Sequence, residues 1–311
     1  MRPVRPPVRP PQRVPEPPRP SAAALSRIQR ITKPAAPAPK PPVAPPAPPP
    51  PPPPQGLLRG LFIGINYIGT AYELAGCIND AVDMQAHVSR LFPTCKEQRL
   101  ITDNTSIKPT KAAILASMNW LVAGLQPGQH VFLHYSGHGG LVRDTNGDEV
   151  SGLDSTLYAI DGGKIEQITD DDIRAALVAK IPAGSKCFVV FDCCHSGSAV
   201  DLRYTWQAPS QEVLTYTEDQ KYAKSAGQIL FLSGCHDMQV AMDTVNKEGR
   251  PCGALTMSLL ETWKAYGPAI KLKYLLWDVR KFLREYGYQQ VPQLTTGSYM
   301  DMNAVFDLSK P

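Results

Sequence analysis

The chain has 311 residues, 43% of them hydrophobic and 19% charged, with a formal net charge of +4, which is length enough for one sizeable α/β domain with its own core. Residues 1–54 hold 23 of the 32 prolines and nine Lys and Arg against Glu16 alone, a net +8, so the other 257 residues carry about −4 and the positive excess is no argument for nucleic-acid binding. Seven scattered cysteines without a Cys-x-x-Cys exclude a disulfide framework and a zinc finger, and the lack of an 18-residue apolar run or an apolar core near Met1 predicts no membrane span and no signal peptide.

Taken in order, Met1 to Pro54 is predicted to be disordered or polyproline II, because proline fixes φ and removes donors. It closes on seven consecutive prolines, Pro48 to Pro54. The arm suits either a ligand for proline-recognition domains or a solvated spacer and removable pro-segment. Only Ser21 to Thr32 has the composition of a short helix. The prolines of the Arg-rich start forbid the amphipathic helix of a transit peptide, so a cytosolic protein is expected. Residues 55–311 read as the folded domain.

Leu57 to Tyr67 reads as the first strand. Asn79 to Leu91 has helical spacing with Asn79 as its cap. Gln98 to Ile101 is a short strand, and Thr110 to Leu125 a helix with Ile114, Met118, Leu121 and Leu125 on one face. Strands follow at Gln129 to Tyr135 and Leu157 to Ile160, then a helix over Asp170 to Lys180 and a strand over Cys187 to Phe191. A polar stretch to Gly227 is too long for an ordinary connection. A strand at Gln228 to Leu232, helices at Pro251 to Tyr266 and Leu272 to Tyr286, and a closing segment Val291 to Tyr299 complete the chain. Alternating strands and helices predict a mostly parallel central sheet flanked by helices on both faces.

Two of these strands end in chemistry. The apolar run Cys187 to Phe191 breaks off into Asp192-Cys193-Cys194-His195-Ser196-Gly197, and Gln129 to Tyr135 ends in Ser136-Gly137-His138-Gly139-Gly140. Open α/β sheets place ligands beyond the carboxyl ends of their strands. Taken singly, a buried cysteine is ordinary core packing and a lone histidine an ordinary surface residue. Taken together they offer a thiol and an imidazole at one sheet edge, the requirement for thiol nucleophilic catalysis. A zinc reading of Cys193-Cys194-His195 is disfavoured, since contiguous residues chelate poorly.

The segments Tyr135-Ser136-Gly137-His138-Gly139 and Asp192 to Gly197 resemble the paired motifs of the type I metacaspases, caspase-fold cysteine peptidases, over roughly Gln55 to Pro311. The resemblance implies a caspase-like sandwich, Cys194 as nucleophile, with Cys193 in the variable small position, and His138 as the base that orients the thiol and protonates the leaving amine. Alternation along a strand agrees that adjacent thiols point apart. By analogy, the amides of Gly139 and Cys194 supply the oxyanion donors.

The same resemblance implies cleavage after Arg or Lys. Asp80 and Asp192 match the family's pocket acids, with Ser136 and Cys77 as lesser lining positions, and a cationic side chain needs such carboxylates. The alternatives are a helix N-terminal acid for Asp80 and a structural hydrogen-bonding role for Asp192. Calcium is the implied cofactor. Asp144 to Glu149 fails as an EF-hand, because Glu149 stands where Gly is required and Ser155 where the bidentate Glu belongs. Asp154, Asp170, Asp171 and Asp201 correspond instead to the family's calcium aspartates, Asp170 and Asp171 having the alternative of helix cap and first-turn acids. Self-cleavage is expected at Lys221, Lys224 or Arg59, with Arg30, Lys33 and Lys40 also near the pro-segment. The segment Ser233 to Asp243 departs from the family in carrying Met238 and Met242, which bears on the outer subsites.

The expected activity is thus a calcium-activated, self-processing cysteine endopeptidase acting as a monomer on protein and peptide substrates. The competing expectation is a scaffold that recruits partners through its polyproline arm. An Asp-specific caspase is disfavoured, because acids stand where arginines are needed and the Gln-Ala-Cys-x-Gly signature is lacking.

Overall fold

The computed structural model describes residues 55–143, 152–193, 199–210, 213–234, 243–246, 249–288 and 290–310. The proline arm, the segment Ser21 to Thr32, the acidic run 144–149, Cys194 and His195, and Met238 and Met242 lie outside the described residues.

Thirteen strands and five α-helices are present among them: β1 (Gly56–Gly64), α1 (Cys77–Leu91), β2 (Glu97–Thr102), α2 (Lys111–Val122), β3 (Gln129–Ser136), β4 (Gly139–Arg143), β5 (Leu153–Asp161), β6 (Lys164–Thr169), α3 (Asp170–Ala176), β7 (Lys186–Asp192), β8 (Tyr204–Gln207), β9 (Thr215–Glu218), β10 (Gln228–Ser233), β11 (Asp243–Val245), β12 (Pro251–Gly253), α4 (Ala254–Tyr266), α5 (Leu272–Glu285) and β13 (Gln293–Thr296). Eight strands form one mixed sheet in the order β2-β1-β3-β7-β10-β13-β8-β9. The first five run parallel, and β13, β8 and β9 add antiparallel to the far side.

The alternation of side chains along the parallel strands divides the core in two. Phe62, Phe132, Phe188, Val190 and Leu230 pack against Met84 and Val88 of α1, Leu255 and Leu259 of α4 and Leu276 of α5. Their neighbours Ile63, Leu133, Val189, Phe191 and Phe231 face Ile114 and Met118 of α2 and Ile173 of α3. Each such wholly buried side chain contributes about 1.5–3 kcal/mol. Trp263 of α4 contacts Phe92, Phe132 and Phe188, which fixes that helix, and so its N-terminus, over the middle of the sheet.

Several expected boundaries are corrected. Helix α1 starts at Cys77 behind Gly76, with no side-chain cap; Asn79 donates to Pro251 O and accepts from Arg250. The cap of α3 is Thr169, which closes a capping box with Asp172, and α3 stops at Ala176, with only a 3-10 turn at Val178–Lys180 beyond it. Pro251 to Gly253 is a strand paired with β11, and the helix begins after it. The polar stretch before Gly227 contains the hairpin β8–β9. A separate antiparallel sheet, β4-β5-β6, was not expected at all beyond the core of β5.

Candidate active site

β3 and β7 are parallel neighbours whose last register partners are Ser136 and Asp192, and Gly137 N–H reaches Asp192 O at 3.4 Å. His138 and Cys194 each lie two residues beyond those partners in sequence. The thiol of Cys194 is outside the described residues. Cys193, which is described, is wholly buried in the apolar layer with Tyr67 and Tyr135, where no substrate reaches it.

His138 is half-buried and held on every side. Its Nε2 lies 2.8 Å from Tyr72 O. A carbonyl only accepts, so Nε2 carries the proton and Nδ1 is left as the basic nitrogen. The imidazole sits among the rings of Tyr67, Tyr72 and Tyr158, with centroids 4.9, 6.1 and 6.1 Å away. Gly139 follows as the first residue of β4, half-buried and paired with Leu157. The tyrosines and the carbonyl of Tyr72 that hold His138 are positions that sequence reading missed. A main-chain acceptor carries no side-chain signal, and Tyr67 was read as the end of a strand.

The four expected pocket residues come together at the same edge. Cys77 opens α1, Asp80 lies one turn along it, Ser136 ends β3 and Asp192 ends β7; all are buried. Ser136 Oγ donates to Asp80 Oδ2 at 2.7 Å. The main chain entering α4 holds both acids: Gly253 N–H donates to both oxygens of Asp80 at 2.9 Å, and Thr256 N–H donates to Asp192 Oδ2 at 2.7 Å. Asp192 therefore caps α4 from another strand, supplying the acceptor that Gly253, the N-cap residue, lacks. This satisfies the structural alternative for Asp192 and keeps its charge favourable at a helix N-terminus. Gly253 is required by close approach, because a Cβ there would lie 2.8 Å from Asp80 Oδ2 and closer still to Asp192 Oδ2. A cavity of about 110 Å³ adjoins this cluster, lined by Asp80, Asp83, Cys252, Thr256, Met257 and Glu261 among others. Gly253 was also missed; the Gly-Ala-Leu-Thr opening of a helix was its only trace in the sequence.

Behind the acids stands His134, fully buried, with Nε2 3.0 Å from Thr256 Oγ1. Burial pushes its pKa down to about 3, so it is neutral.

Of the expected calcium aspartates, Asp154 on β5, Asp170 at the start of α3 and Asp201 are buried, and Asp171 is half-buried. Asp170 Oδ2 accepts from Ser155 N at 2.8 Å and its Oδ1 from Asp171 N at 3.0 Å. Arg174, one turn further along α3, donates to Asp201 O at 2.9 Å, and Asp201 adopts φ +49°. The donors are carboxylates, which suits a hard divalent cation. Their spacing does not make a closed cage: among the described residues no three acidic, histidine or cysteine side chains are gathered closely enough to hold an ion.

Lys221 and Lys224 are exposed in the loop between β9 and β10. Arg59 is different. It lies within β1, its Nη1 donates to Trp120 O and Ala123 O, its Nε pairs with Glu97, and the strand is hydrogen-bonded on both sides. The bond after it is inside the sheet, so self-cleavage at Arg59 is not compatible with the folded chain.

Comparison with known proteins gives a consistent picture. The metacaspase peptidase C14 domain matches residues 58–203. The chain is 32% identical to Metacaspase-1 of Schizosaccharomyces pombe, over 80% of this chain and 69% of that one, and 33% identical to Metacaspase-1 of Mycosarcoma maydis, over 81% and 73%. A solved structure of a Geobacter sulfurreducens protein superposes with a TM-score of 0.58 at 27% identity, covering 81% of this chain and 97% of that one.

Proposed function

Since the chain belongs to the metacaspase family and is a cysteine peptidase, we propose that it cleaves peptide bonds after Arg or Lys, with Cys194 as nucleophile and His138 as its partner. The observation that carries the specificity is the convergence of two buried carboxylates, Asp80 and Asp192, on Gly253 at the strand edge from which His138 emerges. Their N–H partners hold them in place and leave the negative charge for a guanidinium or ammonium group.

In this reading Nδ1 of His138 takes the thiol proton as Cys194 sulfur attacks the carbonyl carbon. The amides of Gly139 and Cys194 receive the developing oxyanion. His138 returns the proton to the leaving amine as the C–N bond breaks, and water then hydrolyses the thioester with His138 again as base. Tyr72 O keeps the imidazole in the tautomer this sequence of transfers needs.

Calcium dependence and self-processing belong to the same proposal. Asp154, Asp170, Asp171 and Asp201 are the residues that would take part in holding calcium, which when bound would supply positive charge among these buried and half-buried carboxylates. Fluorogenic peptides ending in Arg, Lys or Asp, with and without calcium, test the reading, with Cys194→Ala as control. Turnover of Arg and Lys peptides alone supports it; preference for Asp, or equal turnover by Cys194→Ala, overturns it.

A further inference from the structure

We propose that Tyr67 is a positioning residue for His138, and that its unusual backbone conformation is retained for that contact. The inference rests on the peptidase reading above and adds to it a residue outside the thiol–imidazole pair and the pocket acids.

Tyr67 is wholly buried and has φ +52°. A left-handed conformation costs a residue of this size about 1–2 kcal/mol, and it persists only where the surroundings over-determine it. They do so here. Asn66 N–H and Ile68 N–H donate to the two oxygens of Asp103, Asn66 Oδ1 accepts from Ile78 N–H, and Thr70 donates through both N–H and Oγ1 to Tyr67 O. The strained residue is thus clamped from both sides, a pattern associated with function.

The clamp aims one atom. Tyr67 Oη accepts from His138 N–H at 2.9 Å and donates to Tyr158 O at 2.8 Å, while Tyr135 Oη donates to His138 O at 2.7 Å. The histidine's N–H therefore ends on one phenol oxygen, and its carbonyl accepts from the other as well as from Tyr158 N–H at 3.0 Å; the two phenol oxygens lie 3.1 Å apart. The peptide before it is pressed onto the same pair: a Cβ on Gly137 would lie 2.7 Å from Tyr135 Oη and 2.9 Å from Tyr67 Oη. Burial holds both phenols well above their ordinary range, so they stay neutral at any working pH.

A tyrosine that merely filled the core would need one acceptor and no particular neighbour. This one grips the main chain of the histidine, and its ring lies 4.9 Å from the imidazole. Five residues further along the same loop, Tyr72 O accepts a hydrogen bond from His138 Nε2. A single loop, 67–72, thus fixes the histidine at its backbone and at its far ring nitrogen. Displacement by an ångström costs such a group about a hundredfold in rate.

The test is Tyr67→Phe, which keeps the ring and deletes the contact, beside the exposed Tyr266→Phe as control. The expected result is a fall in kcat of at least tenfold on an Arg peptide with KM within twofold, and a rise of about one pH unit in the midpoint for alkylation of the Cys194 thiol by iodoacetamide. Wild-type kcat and an unmoved alkylation profile would overturn the proposal. The alkylation arm needs no turnover, so a wild type that alkylates but hydrolyses no Arg peptide sinks the specificity reading while Tyr67 is still decided. Should Tyr67→Phe fail to fold, amide hydrogen exchange of His138 in the wild type decides: strong protection is expected, and exchange at the rate of an open loop contradicts it.

Discussion

Asp80 and Asp192 come from different elements of the fold, yet both are bonded to the first turn of one helix, through Gly253 N–H and Thr256 N–H, and both crowd the space that a Cβ on Gly253 would occupy. The two carboxylates are thereby a single unit with α4. Gly253→Ala should push the carboxylates out of place and lower kcat/KM for Arg peptides at least tenfold, about 1.4 kcal/mol, with the fold intact by circular dichroism. Unchanged kinetics would show that the acids tolerate independent movement.

Charge and shape are separable at Asp80. An asparagine keeps an oxygen for Gly253 N–H, whereas alanine would leave a buried donor unsatisfied at about 1–3 kcal/mol. Asp80→Asn is expected to lose at least a hundredfold in kcat/KM on Arg peptides while its Tm stays within a few degrees, and Asp80→Ala to lose both activity and stability. Steady-state kinetics and thermal melts on the two variants check this.

Acid stability should depend on His134. Its folded-state pKa, about 3, lies below the unfolded value near 6.5, so the unfolded chain gains the proton first as pH falls. The stability this histidine protects is complete above about pH 6.5 and is lost toward pH 3, at up to about 1.4 kcal/mol per pH unit. His87 and His130 are also lowered, chiefly by burial, and act in the same direction. Urea midpoints of His134→Gln measured from pH 7 to 4 should fall less steeply than those of the wild type, by about one proton; parallel curves would contradict it.

How far these features were legible depends on where their signals lie. Continuous apolar runs announced β7 and β10, because strands buried on both faces have no polar alternation to hide them, and Val131-Phe132-Leu133 announced β3 between its two histidines. The sheet β4-β5-β6 was not, since Gly139-Gly140 opens it and Lys164 to Thr169 is mostly polar. Asn79 looked like a cap and instead ties α1 to Pro251 and Arg250, a long-range use that local spacing does not encode. The side chains proposed for the pocket were named from the family resemblance. The parts that hold them, Tyr72 O, Gly253 N–H and Thr256 N–H, are main-chain atoms, and the sequence specifies them only through the fold.

If calcium joins Asp154, Asp170, Asp171 and Asp201, isothermal titration of the Cys194→Ala protein should show saturable binding that Asp170→Asn weakens at least tenfold, and chelation should silence the active enzyme. Full activity in excess chelator would remove calcium from the account.

Self-processing should be confined to exposed basic sites. Cuts after Lys221 or Lys224 are expected, and none after Arg59. Of the three nominated residues of the arm, Lys33 and Lys40 are each followed by proline, whose ring nitrogen carries no N–H and whose φ is locked, so Arg30 is the expected site among them. Fragment termini from mass spectrometry check this, and identical fragments from Cys194→Ala would rule out self-cleavage.

The most direct measurement is covalent labelling by a peptidyl-arginine chloromethyl ketone, mapped by mass spectrometry. The account predicts one label, on Cys194, slowed at least a hundredfold in His138→Ala and absent when arginine is replaced by aspartate. A label on Cys193, or labelling indifferent to His138, would contradict it.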